Sequence, residues 1–248
     1  MRGTLRITVA IALLPLIWIA SARAQAVGPG FNQRSIEEAN VGVGIEQVGV
    51  LIYPAKMLEN GIDSGEVRIS ISVDNAGVLT DSLITAYTER EFADVALAAI
   101  KRWRYRPAKA GGSPTASRSD LVFEFRNSGV VVQAMAAAQL RRAYFSSRNE
   151  RFEYQPCRLR DLDHIPTPVH VVSPLVNSDE KMHTVTVEFY IDEQGTVRMA
   201  AVPRESAGDV YAAAAVAAVE QWRFEPPLRK GEPVLVLAQQ EFKFRPKE

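Results

Sequence analysis

One cysteine, three histidines and a formal net charge of zero leave this 248-residue chain few routes to chemistry. A lone thiol, Cys157, closes no internal disulfide, so the fold must rest on packing, and the residue reads as a small buried apolar group. Basic and acidic residues number 29 each and are interspersed, which gives nucleic acid no patch to bind. His164, His170 and His183 are not spaced as a ligand pair on one helix face, and no cysteine cluster accompanies them, so neither a metal nor a cofactor is expected. Cys157 and His164 form a conceivable nucleophile pair, yet neither sits in a local signature. Asp161 and Asp163 alternate, and alternate positions of an extended segment face opposite ways, so they read as solvated charge. Gly42-Val43-Gly44 lacks the third glycine and the lysine of a phosphate loop. The chain reads as non-catalytic.

Long apolar runs are also scarce. The one candidate is N-terminal: Arg2 and Arg6, then an uncharged stretch from Ile7 to Ala20, then Ala22-Arg23-Ala24. This is the basic, apolar and small-residue order of a signal peptide, residues 1–24. The stretch is short for a span, which needs about 20 residues, and Pro15 interrupts it. Cleavage and periplasmic export are therefore expected, with no membrane span in the mature chain. An uncleaved anchor is the rival reading. Composition is otherwise ordinary, at 47% hydrophobic and 23% charged, enough for a packed core.

What the chain has is an internal repeat. Phe92, Ala96, Ala99, Ile100 and Trp103 mark one face of an amphipathic helix. Shifting the register by 119 residues gives Tyr211, Ala215, Ala218, Val219 and Trp222, the same stripe with the same final tryptophan. Trp103-Arg104-Tyr105-Arg106-Pro107 then matches Trp222-Arg223-Phe224-Glu225-Pro226, and Gly112-Ser113-Pro114 matches Gly231-Glu232-Pro233. Phe123 and Phe125 match Phe242 and Phe244 on an alternating strand. Upstream, Val67, Ile69, Ile71 and Val73 alternate with polar residues, as do Val185, Val187, Phe189 and Ile191. These runs end in Asp74-Asn75-Ala76-Gly77 and Asp192-Glu193-Gln194-Gly195, turns in which Asp bonds the backbone two residues on and Gly takes a positive φ.

Each unit thus reads strand, hairpin, strand, helix, strand. The fold class is α+β: two small domains, each a three-stranded antiparallel sheet packed against a helix, joined by a helical linker. Thr88 with Glu91, and Ser206 with Asp209, stand where capping boxes would open the helices. The expected boundaries are a flexible segment at 25–45, domain 1 at 46–127, a linker at 128–165 with a helix over Val130 to Phe145, and domain 2 at 166–248. Trp103 and Trp222 end the core stripes and are expected to pack rather than bind.

The ordered set resembles the TonB C-terminal domain family. Copy one carries the pattern from Tyr53-Pro54 to Phe125, and copy two from Ser173-Pro174 to Phe244, with Ser in place of Tyr. The resemblance implies a periplasmic domain whose last strand pairs, edge on, with a short extended segment of a protein partner such as an outer-membrane receptor. The binding residues it implies are Asp120, Leu121, Val122, Phe123, Glu124 and Phe125 in copy one, and Gln239, Gln240, Glu241, Phe242, Lys243 and Phe244 in copy two. Energy-transducing members keep an N-terminal membrane helix and a long Pro-rich spacer. This chain has no such spacer, and once its signal peptide is cleaved it cannot couple directly to a membrane motor; a membrane-anchored energy-transducer component is the alternative if the N-terminal helix stays uncleaved. A structural protein whose two domains pair edge to edge is the other alternative.

Overall fold

The computed structural model describes residues 42–135, 151–176, 182–202 and 209–245. The N-terminal segment read as a signal peptide lies outside them. No helix among the described residues is long and apolar enough to cross a membrane.

Copy one begins with β1 (Gly44–Gln47) and a short helix, α1 (Ala55–Glu59). The hairpin β2 (Ser64–Val73) and β3 (Leu79–Tyr87) follows, then α2 (Arg90–Ile100). Past the helix come β4 (Arg104–Arg106), β5 (Ala108–Ala110), β6 (Ser113–Thr115) and the long β7 (Ser117–Arg126). The alternating Val67, Ile69, Ile71 and Val73 of β2 meet Leu121, Phe123 and Phe125 of β7 and the α2 stripe in one core. Asp74 accepts the N–H groups of Ala76 (2.9 Å) and Val78 (2.8 Å), so the repeated Asp does turn work. Thr88 and Glu91 do not form the expected capping box. Glu89 is the N-cap and no side chain caps the helix. The Thr88 hydroxyl instead accepts the N–H of Glu66 (3.1 Å), tying the helix entry to β2, while Glu91 pairs with Lys56.

The expected helix after copy one is replaced, in its described part, by a strand. Gly129–Met135 forms β8, joined to β7 by the two-residue turn Asn127-Ser128. Three consecutive β-branched valines, Val130 to Val132, favour a strand, and a ready sheet edge to pair with overrides the helix preference of the alanines beyond. The sheet is therefore four-stranded, in the order β3-β2-β7-β8, rather than three-stranded. Residues 136–150, the rest of the expected linker helix, lie outside the described residues.

The chain then runs through the 3-10 turn Leu159–Asp161 to copy two. There β9 (Pro168–His170), β10 (His183–Ile191), β11 (Val197–Ala201), α3 (Val210–Val219) and β12 (Arg223–Phe224) lead through β13 (Leu228–Arg229) and β14 (Glu232–Pro233) to β15 (Val236–Phe244). Its main sheet has the order β11-β10-β15. Asp209 caps α3 by accepting the N–H of Tyr211 (2.8 Å); the Ser206 of the expected box lies outside the described residues. Asp192 repeats the turn of Asp74, accepting from Gln194 and Thr196. Gly195 (φ 78°) is required twice over, because a Cβ there would also collide with the carbonyl oxygen of Phe224.

No strand of one copy ladders onto a strand of the other among the described residues. The copies meet face to face instead. The face of the first sheet turned away from α2 is polar, carrying buried Arg68, Ser70 and Asp120. Tyr190, only 1% exposed, lies on it with Arg118 over its ring at 5.2 Å. A bulge in β11 aids this contact: Met199 takes φ 54°, and β11 gains a residue between Arg198 and Ala201 relative to β10. Arg198 then reaches Asp81, and Met199 takes bonds from Ser72 and Arg118. From the linker, Tyr154 bonds Tyr87 in both directions (3.0 and 3.3 Å), and their rings stack at 5.2 Å.

Candidate partner-binding edge

The two last strands occupy the same place in each repeat but differ in what lies beside them. In copy one, β7 is flanked on both sides: it pairs with β2 from Ser64↔Arg126 to Val73↔Ser117, and with β8 from Arg126↔Gly129 to Asp120↔Met135. The expected free edge is absent there. Of the six residues implied as its binding set, Leu121, Val122, Phe123 and Phe125 are buried, and Glu124 is half-buried. Asp120 is fully buried at the junction with copy two, where it accepts the hydroxyl of Ser70 and lies 3.7 Å from Arg118. None of these is placed to meet a partner strand.

In copy two, all nine residues of β15 pair with β10, from His183↔Phe244 to Ile191↔Val236, and no second strand flanks it among the described residues. Among the described residues the linker bonds it at its start, where the N–H of Cys157 donates to the carbonyl of Leu235 (2.7 Å). That bond sets the phase of the strand. Carbonyl and N–H directions alternate along a strand, so the odd-numbered residues of β15 aim their backbone groups away from β10. The Glu241 carbonyl agrees: it accepts the side-chain amide of Gln240 (2.8 Å) instead of a strand. The backbone of Glu241 and Lys243 therefore faces the open edge.

The side chains sort by face. Phe242 and Phe244 lie on the α3 side, where Phe242 meets Trp222 (5.7 Å between centroids) and Phe244 meets Tyr211 (5.0 Å). Both are half-buried, as is Gln240. Gln239, Glu241 and Lys243 are exposed on the other face, and Glu241 and Lys243 pair at 3.0 Å. Trp222 packs as expected and donates its indole N–H to the carbonyl of Val172 (2.8 Å), which pins the segment that follows β9. Trp103 is equally buried, but its indole N–H has no hydrogen-bond partner among the described residues.

The remaining sequence candidates take structural places. Cys157 is buried in the core of copy two, with the Arg229 guanidinium 3.8 Å from Sγ. Asp163 accepts the N–H groups of Lys230 (2.7 Å) and Gly231 (2.8 Å), and these two bonds hold its carboxyl below the usual range. His183 stacks on Tyr211 at 4.0 Å. Among the described residues no cluster of three metal-ligating side chains occurs. Sequence reasoning missed β8, although the valine run and the Asn-Ser turn before it carried the signal.

Comparison with protein families finds a match to the model described as Gram-negative bacterial TonB protein C-terminal, over residues 50–126 and again over 180–246. No curated protein matches the chain.

Proposed function

The chain belongs to the TonB C-terminal family, with two tandem copies of its domain, and from that premise we propose that it captures an extended segment of an envelope protein by strand addition to β15. The family supplies the coarse statement: a TonB-like, protein-binding domain of the Gram-negative envelope, tied to transport. The finer reading is that copy two binds and copy one does not. The observation that carries it is the contrast at equivalent edges: β7 is sealed by β8, whereas among the described residues no second strand flanks β15 from Gln240 to Phe244.

Backbone hydrogen bonds along such an edge supply affinity and need no catalytic group. Copy one then serves as a platform. Its polar sheet face holds Tyr190 and Met199 of copy two, fixing the open strand relative to the rest of the body. On this reading the mature protein starts near Gln25 in the periplasm, and an outer-membrane receptor is the class of partner.

The test is photo-crosslinking in cells from a reactive residue placed at Glu241 or, separately, at Val131 on β8. Crosslinks to an outer-membrane protein from Glu241 and not from Val131 support the reading. Equal crosslinks from both positions, or from Val131 alone, contradict it.

A further inference from the structure

The repeat lets one copy report on the other. Phe123 and Phe125 are 0% exposed, with Val130 and Val132 of β8 and Tyr53 packed on the same core, whereas the equivalent Phe242 and Phe244, without a β8 and with Ser173 in place of Tyr53, remain half-buried. β8 therefore shows what completes this kind of edge. It runs antiparallel to β7, and its alternate residues Val130 and Val132 stand opposite Phe125 and Phe123, packed on the core beside α2. Val131, between them, stands opposite Glu124 on the other face and is 49% exposed.

Carried over by the repeat, the registers become Phe244, Lys243 and Phe242. The aromatic pair is kept, and the charge between them is reversed from Glu124 to Lys243. Cross-strand neighbours on one face interact directly, so an apolar β-branched residue suits each Phe, and an acidic residue suits the position opposite Lys243. The next position meets Glu241 and favours a basic or neutral side chain. The one after meets Gln240, where copy one has Leu121, and so makes no apolar demand.

We propose that β15 selects an antiparallel segment with β-branched apolar residues two apart, facing Phe244 and Phe242, and an acidic residue between them. This specificity rests on the reading of β15 as the binding edge. The occupant is a segment of another protein, since β8 itself is held by β7 in its own chain.

The experiment uses the full mature chain and labelled peptides of the β8 sequence, Gly129 to Met135, read by fluorescence anisotropy. The reference peptide carries V131E and Q133K. It is expected to bind, to lose about two- to fivefold in affinity when position 131 is Lys instead of Glu, and to lose binding when both Val130 and Val132 are Asp. A photoreactive group at position 131 is expected to label Lys243, which reports the antiparallel register. A parallel random-peptide selection, scored by crosslinking to position 241, separates the two claims. Binders that crosslink there but lack the alternating β-branched pattern, or lie parallel, overturn the specificity and leave the binding edge standing. If neither the designed peptides nor any selected peptide engages β15, both fall.

Discussion

A proline at position 241 and one at position 240 are expected to have opposite consequences, because adjacent residues of β15 point their N–H groups to opposite sides. Gln240 lies opposite Val187, which is fully buried, and its backbone is turned toward β10. Gln240→Pro removes a ladder hydrogen bond and strands a buried carbonyl. A lost bond contributes about 0.5–1.5 kcal/mol and an unsatisfied buried group about 1–3, so the loss is about 2–4 kcal/mol of stability. Glu241 donates to no strand among the described residues, and proline is tolerated where the N–H of an edge strand faces outward. Glu241→Pro is expected to leave stability within about 1 kcal/mol of the parent, as most surface substitutions do. It removes one donor from the partner's ladder, and at about 1.4 kcal/mol per tenfold this weakens a bound strand by up to about tenfold. Urea unfolding and peptide anisotropy on the two variants read both effects. If Glu241→Pro unfolds copy two as strongly as Gln240→Pro, the phase read from the Cys157–Leu235 bond is wrong. If it leaves binding intact, the edge is not the site.

Other consequences follow from particular contacts. Gly195→Ala should cost more than Gly231→Ala, as both need a positive φ, at about 1–2 kcal/mol for an L-residue, but only at Gly195 does the new Cβ strike a carbonyl; thermal unfolding of the pair measures the difference. Trp222→Phe should destabilise by about 1 kcal/mol more than Trp103→Phe, because only Trp222 loses a hydrogen bond, to Val172; denaturant titration decides. Tyr190→Ala empties the junction of the copies and should cost about 3–5 kcal/mol, measured as a fall in the midpoint of urea unfolding relative to the parent. The Asp163 carboxyl is held below its usual range by two backbone bonds. Its contribution is present above the unfolded carboxylate value and lost as pH falls through the lower folded value. The loop between β13 and β14 should therefore loosen only in acid, and Asp163→Asn should abolish that pH step in the exchange rates of the Lys230 and Gly231 amides.

Much of each repeat was legible because local chemistry sets it. The Asp74 and Asp192 turns, the α2 and α3 stripes and the alternating β2 and β10 rows are dictated by backbone bonding and by periodicity within a few residues. Three features were not legible, and each depends on contacts far along the chain. β8 read as helix because alanine and glutamine favour that state locally, whereas the waiting edge of β7 decides it. The bulge at Met199 shows no glycine, and only the packing of Ser72 and Arg118 against Met199 rewards its left-handed backbone. The alternation of polar residues in β2 and β7 carries no sign of a second packed face, yet Arg68, Ser70 and Asp120 are buried under copy two and the linker. The candidate site followed the same division. The position of the last strand in each copy was readable from the repeat, while the sealing of one copy by β8 required the fold.

The most direct test of the open edge needs no partner. Residue-resolved amide hydrogen exchange on the mature chain should show fast exchange at Glu241 and Lys243 and slow exchange at Gln240 and Phe242. Along β7, where both sides are paired, the amides from Leu121 to Phe125 should all be slow. Uniformly slow exchange from Gln240 to Lys243 would mean that the β15 edge is already covered, and would contradict the account.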